Sequence, residues 1–195
     1  MKQQPPPLLS ILRSNLQGRL LARLLLEPDR EFGVRELAES IDGSLSSVHA
    51  EIERLVAAEL VNSRTVGRSR LIRANTEHEL YPSLYDVILR TYGPRELAEQ
   101  AISGRTDIEE AYIFGSWARR YLGEPGPAPR DLDLVLVGPI ARDATRAIAD
   151  RLESDLGREV GVTAVNREQW TDAKSGFLQT LRSGPLVPIK GGGPQ

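Results

Sequence analysis

The sequence predicts an α+β protein made of two domains. In the N-terminal half, apolar residues recur at three- and four-residue spacing, which is typical of packed helices. In the C-terminal half, short apolar runs alternate with helical segments, which indicates a mixed sheet flanked by helices. A Gly93–Pro94 dipeptide separates the two patterns and marks the expected boundary. With 195 residues, the chain is long enough for two small cores.

The composition excludes several classes of protein. The chain has no cysteine, so it forms neither disulfides nor thiolate metal sites, and we expect it in the reducing cytoplasm. Prolines interrupt the first residues where a signal peptide would need its apolar run, and no segment resembles a membrane span. Because the net charge is −2, any affinity for nucleic acid must come from a local basic patch.

The N-terminal half reads as helices followed by a hairpin. A leucine-dense segment over residues 8–26 predicts helix, which Gly18 could divide in two. A second helix (VRELAESI) follows Phe32, Asp42–Gly43 form a turn, and Ser44 is the expected N-cap of a third helix. Two alternating runs around Gly67 predict a β-hairpin, and a further helix is expected over Tyr81–Tyr92.

Helix, tight turn, helix and hairpin are, in this order, the elements of a winged helix-turn-helix. The second helix of such a pair enters the major groove with its N-terminal residues toward the bases, so the candidate base-contacting residues are Ser44, Ser46, Ser47 and His49. On or beside the hairpin lie candidate phosphate-contacting arginines, namely Arg64, Arg68 and Arg70, with Arg73 close by. Two alternatives stay open: Ser44 as only a cap and His49 as only a surface residue, or the whole module as a protein-interaction surface.

The segment REFGVRELAESIDGSLSSVHAEIERLVAAELVNSRTVGRSRLIRAN resembles the winged-helix domain of ArsR-like bacterial regulators. The resemblance implies a transcription regulator, usually a homodimer, that binds double-stranded DNA. The leucine-dense segment would be the dimer surface, although it could equally be core. Metal sensing is not expected, because the chain lacks the cysteine pairs of the metal-sensing members.

The C-terminal half carries a pattern that suits a triphosphate. The strand AYIF ends in Gly115–Ser116 and leads into a helix, so backbone N–H groups and a hydroxyl can face phosphate oxygens. Asp131 and Asp133 alternate on the strand DLDLVLV, which puts both carboxylates on one face, where they can hold Mg²⁺. Two arginines of the helix after Gly–Ser could reach a phosphate, Arg119 and Arg120.

Other segments of this half have less specific expectations. The loop GEPGPAP could be a lid or a connector, and Trp117 could stack on a base but is more typical of a core. A helix is expected over residues 141–156, followed by the strand EVGVTAV. Trp170 and Phe177 belong to an expected C-terminal helix that packs on the sheet.

The stretch AYIFGSWARRYLGEPGPAPRDLDLVLVG resembles the minimal nucleotidyltransferases of the DNA polymerase β superfamily. By position, Gly115 and Ser116 match the phosphate-binding pair, and Asp131 and Asp133 match the metal-binding carboxylates. Active members usually have a third carboxylate on the next strand, where this sequence has Gly161. Glu159 has the same strand parity and could substitute for it. The domain is therefore expected to be a weakened enzyme or a nucleotide-binding domain without chemistry.

The order of the parts looks like bacterial winged-helix regulators fused to a nucleotidyltransferase domain. The expected divisions are a DNA-binding domain over residues 1–80, connecting helices over 81–104, a nucleotidyltransferase-like domain over 105–190 and a disordered tail over 191–195. The main hypothesis is a regulator that binds a nucleoside triphosphate, expected to be ATP, with Mg²⁺ or Mn²⁺. The alternative is an active enzyme of toxin–antitoxin type that transfers AMP to a partner protein and autoregulates. A third interpretation makes both domains binding modules of a scaffold.

Overall fold

The computed structural model describes residues 12–172 and 175–191. The chain forms two compact units, Met1–Gly93 and Pro94–Gln195, so the division falls at the expected dipeptide. The segment 81–104, expected to connect the domains, is shared between the units, with one helix in each. The predicted α+β class is confirmed, because the described residues form helices and two separate sheets. Within these residues, no helix combines the length and the apolar character needed to cross a bilayer.

The N-terminal unit is a helix-turn-helix with a three-stranded antiparallel sheet in the order β1-β3-β2. Its elements are α1 (Asn15–Leu25), β1 (Phe32–Gly33), α2 (Val34–Ser40), α3 (Leu45–Ala57), β2 (Val61–Val66), β3 (Ser69–Ala74) and α4 (Tyr81–Tyr92). The helix predicted over Tyr81–Tyr92 is confirmed. The short strand β1 was not predicted, since two residues are too few to show an alternating pattern.

Helix α1 runs unbroken through Gly18, so the expected division there is wrong for this part of the chain. The ring of Tyr92 lies against Gly18, and a Cβ at this position would be 2.1 Å from the ring's Cζ atom. The glycine therefore allows close packing of α1 against Tyr92 and does not end the helix.

Leu20, Leu24 and Leu25 are buried in the unit's own core. The first leucines of the predicted dimer surface, Leu8 to Ile11, lie outside the described residues.

The turn between α2 and α3 has the chemistry that the sequence predicts. Asp42 has a left-handed φ of 51°, which aspartate tolerates better than most residues, and the Gly43 N–H donates to the Ala38 carbonyl at 2.9 Å. Ser44 then caps α3, since its hydroxyl accepts from the Ser47 N–H at 3.2 Å. Val48, Ile52 and Leu55 form the buried side of α3, whereas Leu45 is 49% exposed.

Strands β2 and β3 form the predicted hairpin, which is the wing. Val66 pairs with Ser69, so Gly67 and Arg68 are the two residues of the turn. Gly67 has a φ of 60°, the value that a type II′ turn needs at its first central residue.

The C-terminal unit is a four-stranded mixed sheet in the order β6-β5-β4-β7, in which only β5 and β6 are parallel. Its elements are α5 (Pro94–Ile102), β4 (Glu110–Phe114), α6 (Gly115–Tyr121), β5 (Asp131–Val137), α7 (Arg142–Leu156), β6 (Glu159–Val165), α8 (Arg167–Asp172), α9 (Gly176–Ser183) and β7 (Val187–Lys190). Helix α7 provides the crossover that a parallel pair requires, and it packs on β6.

Alternation along β5 separates the two faces of this sheet. Leu132, Leu134 and Leu136 are buried on one face. Val135 and Val137 lie on the other face, in a cluster that also contains Tyr112, Val165, Trp170, Leu178 and Leu181. By the same alternation, Asp131 and Asp133 are on the face covered by α8 and α9.

The C-terminal helix is the main difference from the sequence-based expectation. Ser175 is extended and caps α9, so α8 and α9 are not one continuous helix. Trp170 is buried as predicted, but Phe177 is 52% exposed. Leu178 and Leu181 form the buried side of α9. Phe177 directly precedes Leu178 and therefore does not lie on that side of the helix. The tail expected over 191–195 lies outside the described residues, apart from Gly191.

Candidate metal centre and nucleic-acid interface

The two aspartates of β5 lie where three strands meet. Asp133 is partly buried, with Phe114 of β4 opposite it on one side and Gly161 of β6 beside it on the other. Asp131 is exposed and pairs in register with Glu159. Residues in register on neighbouring strands point to the same face. Both aspartates and Glu159 therefore project from one face of the sheet.

Gly115 makes room for the Asp133 carboxylate. Its φ of 70° is left-handed, and a Cβ there would be 2.7 Å from Asp133 Oδ2. The residue is thus required to be glycine both by backbone conformation and by space. This close approach brings the carboxylate to the junction of β4 and α6, where the Gly–Ser pair lies.

The position expected for a third carboxylate carries no side chain. A Cβ on Gly161 would be 3.2 Å from Asp133 Oδ1, so a residue here would contact the aspartate directly. Glu159 is two residues earlier and adjoins Asp131 instead. Among the described residues, no three Asp, Glu, His or Cys side chains are grouped so that they could hold a metal ion.

The electrostatics of this face favour a cation. Burial raises the pKa of Asp133, and the negative charges of Asp131 and Glu159 raise it further. The ionised carboxylate is therefore disfavoured in the protein alone. A bound divalent cation would offset both the desolvation and the repulsion.

Ser116 lies beside this carboxylate site with its hydroxyl unused. Its Oγ atom is buried and has no hydrogen-bond partner within the described ranges. A buried hydroxyl without a hydrogen-bond partner destabilises a protein. We therefore expect that a ligand atom accepts or donates a hydrogen bond at Ser116 Oγ. Trp117, in contrast, is 1% exposed and has the Arg158 guanidinium 5.1 Å from its ring centre. This tryptophan is core and is not available to stack on a base.

The two candidate phosphate-binding arginines of α6 differ in their surroundings. Arg119 is exposed on the helix. Arg120 donates from Nη1 to the Glu124 carbonyl and from Nε to the Pro127 carbonyl at 3.4 Å, so it holds the GEPGPAP loop. A Cβ on Gly126 would be 2.1 Å from Arg120 Nη2, which shows how closely the loop covers the guanidinium. Arg120 is therefore engaged by the loop, whereas Arg119 is exposed to solvent.

An aromatic pair at the site was not predicted as functional. The rings of Phe114 and Phe177 meet edge to face, with centroids 6.2 Å apart and an interplanar angle of 76°. The alternation of β4 could have placed Phe114 beside Asp133, but nothing in the sequence sets the register between α9 and the sheet. The structure therefore adds an exposed aromatic surface next to the carboxylates.

The exposed end of α3 consists of short hydrogen-bonding side chains. Ser44 bonds to Ser47 Oγ at 2.8 Å and lies 3.2 Å from Ser46 Oγ, so its hydroxyl is largely engaged in capping. Ser46, Ser47 and His49 are exposed on the first two turns. His49 Nε2 is 3.6 Å from Glu53 Oε1.

Acidic side chains pair with two of the three candidate wing arginines. Arg64 forms a bidentate contact with Glu31, at 2.7 Å from Nε and 2.5 Å from Nη2. Arg70 bonds to Glu53 from Nη1 and to Ser63 Oγ at 2.7 Å. The hydrogen bonds from these arginines lower the pKa of Glu31 and of Glu53. The sequence did not reveal these pairs, because both acids are distant from the wing along the chain.

Arg68 is the exposed arginine at the tip of the wing. Arg73 is exposed on β3, and its charge also lowers the pKa of Glu31. The wing therefore presents exposed arginines at its tip and on β3, and it has two further arginines, within three residues of the turn, that are paired with acids. This arrangement can bind phosphates if the anion replaces the glutamates.

Comparison with known proteins gives limited similarity. No protein-family model matches the chain, and no curated protein matches it. Reduced HlyU from Vibrio cholerae is 21% identical, with a TM-score of 0.33, and the match covers 43% of this chain and 82% of HlyU. The heme sensor protein PefR from Streptococcus agalactiae, solved in complex with heme, is 16% identical, with a TM-score of 0.33. That match covers 47% of this chain and 61% of PefR, which is less than two thirds of its length.

Proposed function

We propose that this protein is a DNA-binding transcription regulator whose C-terminal unit binds a nucleoside triphosphate together with Mg²⁺. The observation that carries the first part is the exposed polar end of α3 beside an arginine-bearing wing. Ser46, Ser47 and His49 would contact base edges, and Arg68 would contact a phosphate. The protein would act as a homodimer, so that two α3 helices occupy successive major grooves.

DNA binding would release the two paired wing arginines. Arg64 and Arg70 are held by exposed or partly exposed glutamates, and exposed ion pairs contribute little free energy. A DNA phosphate can replace the carboxylate, because both are anions that accept from a guanidinium. In the free protein these acids offset two of the four arginine charges of the wing, which limits nonspecific binding.

The observation that carries the second part is the position of Asp133, which nearly fills the space where Gly115 has no Cβ. Asp131 and Asp133 would hold the ion, for which Mn²⁺ could substitute, and the ion would neutralise charge on the triphosphate. The buried Ser116 hydroxyl would donate to a phosphate oxygen, and Arg119 could approach a second one. ATP is the expected nucleotide. The C-terminal unit would then be a nucleotidyltransferase-like domain without a third carboxylate.

The register of Glu159 favours a second candidate function. Glu159 lies beside Asp131 on the same face, where it could accept the proton of an acceptor hydroxyl. The oxygen of that hydroxyl would bond to the α-phosphorus of ATP, and pyrophosphate would leave. With a tyrosine of a partner protein as acceptor, the protein would be a toxin–antitoxin-type AMP transferase that regulates its own operon.

DNA binding is tested by fluorescence anisotropy on a duplex from the protein's own promoter, over a series of salt concentrations. Arg68→Ala should weaken binding to all sequences and reduce the salt slope by about 1. Arg146→Ala, an exposed arginine of α7, is the matched control and should leave both unchanged. If the two variants behave alike, the wing is not a phosphate contact.

Incubation with MgATP labelled at the α-phosphate separates the two candidate functions. The main proposal expects nucleotide binding that Asp131→Ala/Asp133→Ala removes, with no label transferred to protein. Label transfer that depends on these aspartates, and that Glu159→Gln abolishes, would instead establish the transferase.

A further inference from the structure

The aromatic pair Phe114–Phe177 is a large apolar surface beside a polar site. Phe177 is more than half exposed, whereas the apolar residues on the other side of α9, Leu178 and Leu181, are buried. Phe114 is partly buried and packs against the core cluster under α8 and α9. Phe114 thus contacts the core and Phe177 is exposed to solvent, and the pair lies on the face of the sheet that carries Asp133.

The sheet register fixes how close this surface is to the carboxylates. Phe114 is the residue opposite Asp133 across the β4–β5 pair, so the two side chains leave the same face as direct neighbours. Phe114 also immediately precedes Gly115 and Ser116. A ligand whose phosphates contact Ser116 and a cation held by Asp133 would thus have its next group at the aromatic pair.

Rigid elements hold both rings. Phe114 is the last residue of β4, which is paired on both of its sides. Phe177 is in the first turn of α9, where Ser175 Oγ accepts from the Leu178 N–H at 3.2 Å. Because both backbones are hydrogen-bonded and the rings contact each other, the exposed face of Phe177 is already positioned before a ligand binds.

We propose that the exposed face of Phe177, supported by Phe114, stacks on the base of the bound nucleoside triphosphate. This inference rests on the proposed nucleotide binding and names the residues that would position the base. Aromatic side chains stack on any base, because every base has a π face. The larger rings of purines offer more contact area, so purine nucleotides should bind more tightly than pyrimidine nucleotides.

The test compares MgATP with magnesium tripolyphosphate, which has phosphates but no base, by calorimetry on the full chain. Wild type should bind both, and Phe177→Ala should weaken MgATP binding roughly tenfold while leaving tripolyphosphate unchanged. Phe177→Tyr keeps the ring and should retain the affinity for MgATP. Leu122→Ala removes another apolar side chain of the same unit that is more than half exposed. This variant should bind both ligands with the affinity of wild type.

Four results would overturn the inference. If Phe177→Ala binds MgATP as wild type does, nucleotide binding stands but the stacking does not. If Phe177→Ala loses both ligands equally, the phenylalanine supports the site as a whole and does not contact the base. If wild type binds neither ligand, the proposed function itself fails. Light scattering is measured in parallel, since a dimer that dissociates in Phe177→Ala would show that a second copy covers the ring instead.

Discussion

At the scale of single residues, Asp133 is held in a position that is unfavourable for the isolated protein. It is partly buried, it has two like charges nearby, and its pKa is raised first by burial and then by Asp131 and Glu159. Unfavourable groups of this kind are frequent at functional sites, where a ligand supplies the missing interaction. The stability of the protein should therefore reveal whether a cation belongs there.

Asp133→Asn should raise the melting temperature in metal-free buffer at neutral pH by about 2–6 °C, since it removes a repelled charge that solvent only partly screens. A carboxyl whose folded-state pKa is raised destabilises the protein increasingly as pH rises through that pKa. The gain should therefore shrink as the pH is lowered, because the wild-type carboxyl is then protonated and no longer charged. Differential scanning fluorimetry measures both effects.

Two comparisons make this measurement specific. Asp150→Asn changes an exposed aspartate of α7 and should give no such gain. Added Mg²⁺ should stabilise wild type and not Asp133→Asn, because only the wild-type site binds it. Equal stabilisation of both by Mg²⁺ would place the ion elsewhere.

Gly161→Asp should restore a carboxylate beside Asp133. Gly161 does not have a left-handed φ, and its Cβ would be 3.2 Å from Asp133 Oδ1, so only a small local shift is needed. We expect roughly tenfold tighter Mn²⁺ binding, since affinity for hard cations increases with the number of carboxylate ligands. Calorimetry with Mn²⁺ measures the change. Gly161→Asn has the same shape without the charge, and an equal gain in that variant would contradict the argument.

At the scale of secondary-structure elements, the wing depends on acids outside it. Glu31→Gln should free Arg64 and raise affinity for DNA about three- to tenfold at low salt, with a salt slope steeper by about 1. Salt-dependent anisotropy measures both quantities. Glu79→Gln removes an exposed acid from the same unit and serves as the control. An identical gain in both variants would mean that net charge alone, and not the Arg64 pair, is responsible.

The packing of α1 on α4 should be sensitive to one methyl group. In an ordinary exposed helix, Gly→Ala would stabilise by up to about 1 kcal/mol. Gly18→Ala should instead destabilise by roughly 1–3 kcal/mol, because the new Cβ overlaps the Tyr92 ring. Urea unfolding followed by circular dichroism gives the value. Gly33→Ala meets nothing within 4 Å and should be close to neutral.

The elements with strong local sequence patterns were predicted, whereas short strands that form only by pairing with a neighbouring strand were missed. Helix α4 has the predicted bounds because Pro82 and Gly93 mark its ends. Strands β1 and β7 have two and four residues, and they are strands only because β3 and β4 lie beside them.

The same distinction holds for the candidate site. The spacing of Asp131 and Asp133 was enough to put them on one face, and the positions of Gly115 and Ser116 followed from the strand that precedes them. The exposure of Phe177 and the pairing of Arg64 with Glu31 depend on contacts between segments that are distant in sequence. Local periodicity carries no information on such contacts.

At the scale of the whole molecule, the two proposed activities are joined by thermodynamic linkage. If MgATP changes the affinity for DNA by some factor, DNA must change the affinity for MgATP by the same factor. We expect a factor of about 5–150, which is the usual range of such coupling. Anisotropy with and without MgATP, and calorimetry with and without promoter DNA, measure the two sides. A factor of one on both sides would mean that the units act independently.

The positions of the two tryptophans have a practical consequence for such measurements. Trp117 and Trp170 are the only tryptophans of the chain, and both are buried in the C-terminal unit. Trp117 directly follows Ser116, and Trp170 stacks on Tyr112 with ring centroids 5.5 Å apart. Selectively excited indole emission therefore originates in one half of the protein. An optical titration can follow that half while DNA occupies the other, without any attached dye.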